Sequence, residues 1–300
     1  MAEPITLFTL LATFPNTKAL KTGAVSSPLV NFNFADVKVS NTQFKPLVRE
    51  QKYDLGELAI VTYLQAKQYE TPYMLLPLVV VGRNQHHTIF HNVEKKPLKP
   101  SELTGKRVGV RAYTQTTGCW VRGFLADDYG VEIDKVRWVT FEDAHVAQYH
   151  DPDIVERAPE GKVIKQMLID GELDAAILGD VKEEGPIRHL IPDHESAGRA
   201  WALKHGGVPV NHFMVVKGEI AKSRPDVVRE VFRLLKESRA AAEPAIESGT
   251  FNPLRIGIEA NRKSLETIVD YAQRQKLITR RFSVDDLFAD ATRILGAAAN

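Results

Sequence analysis

The chain has 300 residues, 44% of them hydrophobic and 26% charged, an ordinary globular composition whose length suggests two domains. A net charge of +1 gives no electrostatic case for nucleic acid or an anionic membrane surface as a partner. The single cysteine, Cys119, excludes an intrachain disulfide and a cysteine-rich metal site, and a free cysteine of this kind is usually a small packed residue.

No stretch approaches the roughly 20 apolar residues of a membrane span. The apolar run at 5–14 has no Lys or Arg before it, so residues 5–11 read as a strand rather than a secretory signal, and the expected location is the cytoplasm. A turn and a short helix to about residue 22 follow. A second strand is predicted at 34–39, a short helix at 43–51, a strand ending near residue 60 and a helix over 63–69. Residues 73–82, YMLLPLVVVG, form the most apolar stretch and read as a strand buried on both faces. Strands alternating with helices argue for an α/β domain. Two prolines among lysines mark 95–100 as a connector.

The segment 106–130 organises the second half. Its β-branched start, polar loop and amphipathic end, with Trp120, Val121, Phe124, Leu125 and Tyr129 on one face before Gly130, spell strand, loop, helix. Thr114, Thr116 and Thr117 sit where the helix begins, and Arg111 ends the strand. A helix start offers unpaired N–H donors and partial positive charge, which suit a carboxylate, and an arginine can clamp one in bidentate fashion. The alternative is that the threonines only cap the helix. Strands at 136–141 and 173–178, helices at 161–170 and 195–205, and an extended piece at 187–192 complete this half. A strand at 208–216 then returns the chain to the first domain. Beyond it, Pro225 opens a helix striped by Val227, Val228, Val231, Phe232 and Leu235. Another helix is predicted at 254–275, and Ser283 with Asp286 reads as a capping box before a last one.

The order of elements resembles a type II periplasmic-binding-protein fold, an α/β chain in two lobes with a ligand cleft between them. The expected lobes are 1–95 with 213–300, and 96–212. Three local sequences sharpen the resemblance. Tyr53-Asp-Leu-Gly-Glu-Leu-Ala, Gly105-Lys-Arg-Val-Gly-Val-Arg-Ala-Tyr and Trp120-Val-Arg-Gly-Phe-Leu-Ala-Asp-Asp-Tyr-Gly-Val resemble the 4,5-dihydroxyphthalate decarboxylase family, which has this fold. The loop after Val110 departs from the family's Pro-Glu-Tyr, reading Arg111-Ala-Tyr113. The segments Arg83-Asn-Gln-His-His87 and Phe141-Glu-Asp-Ala-His145 also differ. The resemblance implies a carboxy-lyase acting on a hydroxylated aromatic, phthalate-like acid. The same fold also serves non-catalytic, ABC-transporter-type solute binding of small carboxylates, and proteins of the menaquinone pathway.

Ligands in open α/β sheets bind off the carboxyl ends of strands. On this fold Thr13, Asn16, Glu57, Arg83, His87, Arg111, Thr114, Thr116, Thr117 and Asp180 are the candidate substrate contacts. His145, Glu142 and His212, in that order, are the candidate proton donors, His145 leading because a histidine ordinarily titrates near working pH. Three histidines, His86, His87 and His91, crowd one short window. A metal site, a metal-free cleft role and plain packing all fit them, since their spacing matches no metal motif. In a dihydroxyphthalate the hydroxyl para to a carboxyl group drives electrons to the carbon that loses carbon dioxide, so no organic cofactor is needed and no metal is assigned. The expected partner is therefore a small aromatic carboxylate; a homo-oligomer is left open. An arginine on the departing carboxylate would stabilise the ground state, so Arg111 is expected on the retained one.

Overall fold

The computed structural model of the chain describes residues 3–242 and 251–300. Strands and helices alternate as the apolar periodicity requires: β1 (Ile5–Leu10), α1 (Pro15–Lys21), β2 (Val30–Phe34), α2 (Phe44–Glu50), β3 (Leu55–Ala59), α3 (Ile60–Gln68), β4 (Tyr73–Gly82) and β5 (Ile89–Asn92). The series continues with β6 (Arg107–Val110), α4 (Thr116–Tyr129), β7 (Arg137–Thr140), β8 (Val155–Arg157), α5 (Ile164–Ile169), β9 (Ala175–Ile177), β10 (Ile187–His189) and α6 (His194–His205). After β11 (Val210–Lys217) the chain is helical, with α7 (Gly218–Ser223), α8 (Pro225–Ala240), α9 (Ile258–Arg274) and α10 (Val284–Leu295).

Two sheets result. The first runs β2-β1-β3-β11-β4 and the second β10-β5-β9-β6-β7-β8. Every residue of β3 and the first eight of β4 are buried, which is why these stretches read as continuous apolar runs. The late strand β11 lies between β3 and β4, antiparallel to both. β5 lies before the 95/96 boundary expected from the sequence, yet it pairs with β9 and β10 in the second sheet. β11 begins at Val210, before the 212/213 boundary, and belongs to the first.

Three sequence expectations shift. The second strand lies at Val30–Phe34 instead of 34–39, in parallel register with β1 from Ile5↔Val30 to Thr9↔Phe34. The helix expected from 161 starts at Ile164, because Gly161 takes a left-handed φ of 79° before it. The helix expected from 254 starts at Ile258, after Gly257 at φ 104°. The capping box holds as read: Asp286 N donates to Ser283 Oγ and Ser283 N to Asp286 Oδ2, each at 3.0 Å.

Helix α4 ties the halves together. Its buried face carries Trp120, Val121, Phe124 and Leu125, and Gly130 at φ 67° ends it. Trp120 Nε1 donates to the Val210 carbonyl at 2.9 Å. At Gly123 a Cβ would lie 2.0 Å from the Tyr271 ring, so only glycine admits the close crossing of α4 and α9. The Trp-Val-Arg-Gly block that carries the family resemblance is thus a packing element. Among the described residues no helix is long and apolar enough to cross a membrane.

Candidate functional site

A cleft of about 990 Å³ lies between the two sheets. From the first sheet's side it is lined by Thr13, Ser40, Phe44, Arg83, Asn211 and His212, and from the second by Arg111, Thr116, Thr117, Phe141, Glu142, His145 and Asp180. The strand ends fix these positions. β6 delivers Arg111 and the α4 start, β7 delivers Glu142 and the His145 loop, and β9 delivers Asp180.

One wall holds a carboxylate–imidazole pair. Glu57 pairs with Met214 across the β3–β11 ladder, which puts His212 on the same face one diagonal away. Glu57 Oε2 lies 2.8 Å from His212 Nδ1, and Glu57 Oε1 accepts from the Ala12 amide at 2.7 Å. Burial of Glu57 opposes its ionisation. Hydrogen bonding and charge from His212, with the Ala12 amide and the Ser40 hydroxyl, outweigh it and hold the carboxyl below its ordinary range. Glu57 is therefore an anion, His212 carries its proton on Nδ1, and Nε2 is the nitrogen left for a ligand. Glu57 itself is fully buried and does not line the cleft, so it supports His212 where direct substrate contact was expected.

His145 is placed beside this pair: the Phe44 ring makes edge contacts with both imidazoles, at centroid distances of 5.5 Å to His145 and 5.1 Å to His212. His145 Nδ1 lies 2.8 Å from Thr62 Oγ1, and Arg49 donates to the carbonyls of Ala144 and His145, each at 2.7 Å, so α2 and α3 grip the loop from the other lobe. Burial, and then the positive charges of Arg111, Lys45, His212 and Arg49, push the His145 imidazole down to about 3. The premise that His145 titrates near working pH fails for this reason, and His145 is a neutral hydrogen-bonding ring.

Arg111 Nη1 donates to Glu142 Oε2 at 3.0 Å, so Glu142 is an ion-pair partner of the expected carboxylate clamp. Thr116 Oγ1 accepts from the Val61 amide at 3.2 Å, and Thr117 Oγ1 accepts from Asn211 Nδ2 at 3.4 Å. Both hydroxyl protons remain to donate, and Gln115 gives the α4 start no side-chain cap. Thr114 is buried with no partner for its Oγ1 and does not line the cleft. Asn16 also lies outside it, its Nδ2 donating to the Val80 carbonyl at 3.1 Å. Asp180 bonds both Arg83 and His87, the latter at 2.8 Å, and the His87 bond is the main cause holding its carboxyl below its ordinary range. His87 reaches the site only through Asp180 and is not a lining residue.

The three clustered histidines diverge. His86 stacks on Phe124 at 4.0 Å, His87 meets Asp180, and His91 Nδ1 accepts from the Leu98 amide at 3.1 Å. Among the described residues no three His, Cys, Asp or Glu side chains converge as a metal site. Sequence reasoning missed Ser40, Phe44, Thr62 and Arg49. Ser40 and Phe44 follow a strand that was misplaced. Thr62 and Arg49 lie on helix faces with no motif around them.

The architecture has counterparts among solved structures. The alkanesulfonate-binding protein SsuA from Xanthomonas axonopodis pv. citri, bound to MOPS, superposes with a TM-score of 0.56 at 14% identity, over 96% of this chain and 99% of that one. The periplasmic aliphatic sulphonate binding protein SsuA from Escherichia coli gives a TM-score of 0.56 at 13% identity, over 95% of this chain and 92% of that one. The chain has the two-lobed periplasmic-binding-protein fold. In sequence it is similar to a 4,5-dihydroxyphthalate decarboxylase of Comamonas testosteroni, 27% identical over 213 residues, covering 65% of this chain and 63% of the relative. It is also similar to a 4,5-dihydroxyphthalate decarboxylase of Pseudomonas putida, 33% identical over 137 residues, covering 43% of this chain and 53% of the relative. The matched part is thus less than two thirds of either relative's length. No protein-family model matches the chain.

Proposed function

We propose that this protein is a cofactor-independent carboxy-lyase that decarboxylates a dihydroxylated aromatic dicarboxylate of the 4,5-dihydroxyphthalate type. The observation that carries the reading is the ionised, buried Glu57 behind His212 on the cleft wall. A solute-binding protein needs no such pair, whereas ring protonation needs a positioned acid. Similarity to two relatives named 4,5-dihydroxyphthalate decarboxylase supports the same reading.

The residues divide the work as follows. Arg111 and the α4 start hold the carboxylate that is retained. Phe14, Phe44 and Phe141 offer apolar contact to the ring. The neutral His145 hydrogen-bonds a ring hydroxyl. His212, its charge balanced by Glu57 when both nitrogens hold protons, delivers a proton from Nε2 to the carbon bearing the departing carboxylate. The para hydroxyl supplies electrons as that proton arrives. The carbon–carbon bond then breaks, carbon dioxide leaves, its bonding pair restores the aromatic ring, and His212 is reprotonated from solvent. One proton is consumed for each carboxylate lost. A cytoplasmic location goes with this reading.

The test is direct. Purified protein is incubated with 4,5-dihydroxyphthalate, and carbon dioxide and 3,4-dihydroxybenzoate are followed. Tight binding with no product would sink the enzyme reading and leave a binding protein.

A further inference from the structure

We propose that Arg122, which does not line the cleft, is a positioning residue for the anion-binding turn 111–117, so that its guanidinium is felt as dicarboxylate affinity. The proposal rests on the carboxylate role given above to that turn.

Arg122 is fully buried in the second turn of α4. Its Nη2 donates to the Tyr113 carbonyl at 2.6 Å and its Nε to Gln275 Oε1 at 2.7 Å. The guanidinium lies over the Tyr113 ring at 4.1 Å and faces the Trp138 ring at 5.2 Å. Nη1 has no hydrogen-bond partner, and among the described residues no carboxylate forms an ion pair with Arg122. Arginine does not escape this cost by losing its proton, and ring faces and carbonyl oxygens offset the desolvation only in part. A well-packed apolar residue would hold α4 in place at lower cost.

The partners of Arg122 show what the charge is for. Tyr113 lies between Arg111 and the first turn of α4. Gln275 Nε2 donates to the Cys119 carbonyl at 2.9 Å, and Tyr113 Oη donates to the Gln275 carbonyl at 3.3 Å. Arg122 and Gln275 thus hold the turn at two points, within it at Tyr113 and just after it at Cys119. The guanidinium, held on the Tyr113 carbonyl, also places a fixed positive charge beside the helix start, where it adds to the field offered to an anion.

The experiment uses the full chain carrying Arg122→Met, Arg122→Lys or Gln275→Ala, with phthalate as the probe because it lacks the hydroxyls that drive decarboxylation. Two readouts are taken: hydrogen exchange of the amides at 112–117, and phthalate affinity by calorimetry. Arg122→Met is expected to speed exchange in the turn and weaken phthalate about 10-fold, the scale of one lost hydrogen bond to a charged group. Arg122→Lys should recover part of the affinity, because it keeps the charge but not the fork. Arg111→Ala should cost less in the Arg122→Met background than in the wild type, since both act through one turn. Unchanged affinity in a folded Arg122→Met protein, or strictly additive effects with Arg111→Ala, overturns the proposal. If Arg122→Met does not fold, Gln275→Ala decides, and unchanged exchange together with unchanged affinity overturns it. If the wild type neither binds phthalate nor turns over 4,5-dihydroxyphthalate, the proposed function fails. Exchange at 112–117 then decides the positioning role by itself, unchanged exchange overturning it.

Discussion

His212 Nδ1 donates to Glu57 Oε2 at 2.8 Å, although 155 residues separate them in the chain. The contact exists because β11 inserts beside β3, and it turns two unremarkable residues into one carboxylate–imidazole unit.

That unit makes the first prediction. His212→Gln keeps much of the shape and removes the proposed proton donor. Turnover of 4,5-dihydroxyphthalate should fall about 10²–10⁴-fold, the usual contribution of general acid catalysis, while phthalate affinity changes little. Glu57→Gln should fall in the same direction. Steady-state kinetics paired with calorimetry measures both; full turnover in His212→Gln would remove it from the chemistry.

Arg111→Ala should weaken carboxylate binding by about 1.5–3 kcal/mol, the range for hydrogen bonds to a charged group. The Arg111–Glu142 pair is half-exposed, so breaking it should cost little stability. Calorimetry with phthalate and a urea titration separate the two effects. An unchanged phthalate Kd would take Arg111 out of the site.

Acid should unfold the protein partly through two histidines. Burial, then nearby positive charge, pushes His145 down to about 3, and burial pushes His86 down to about 4. The unfolded chain takes up these protons near the ordinary value of 6.5; the folded chain refuses them until much lower pH. The unfolded state therefore binds more protons below 6.5, and stability falls as pH drops from 6.5 toward 3–4. For His145 the loss is at most about 5 kcal/mol. Urea midpoints measured across this window should fall less steeply in His145→Gln and His86→Phe. Parallel curves for variants and wild type would contradict the burial argument.

Gly123→Ala should destabilise by about 1–3 kcal/mol or more, because the added methyl meets the Tyr271 ring. Pairing it with Tyr271→Leu should recover part of the loss. Denaturant unfolding of the single and double variants reads the coupling, and additive losses would mean that the helices move apart without strain.

The fold was largely legible because its signals are local. The apolar run of β4, the loop–helix unit ending at Gly130 and the Ser283 cap each declare themselves within a few residues. The cleft was less so. Arg111, Thr116, Thr117, Asp180 and His212 were found by asking which strand ends face one another, and all five line it. The environment of each group stayed hidden. Nothing near His145 in sequence signals that Arg49 and Thr62 bury it, and nothing near Glu57 says that it faces His212. Asn16 and Thr114 follow strand ends as a ligand contact should, yet both turn inward, because side-chain direction there is set by packing from distant segments.

The place of β11 also bears on how the molecule is assembled. A growing chain delivers β1, β3 and β4 early, but the strand that separates β3 from β4 is not complete until Lys217. β6, β7, β8 and β9, by contrast, pair among themselves within residues 107–177. The second sheet can therefore close on the ribosome while the first still holds a gap one strand wide, with apolar edges open on either side of it. Glu57 spends that interval without His212, and the carboxylate–imidazole unit comes into being only with the strand that finishes the lobe.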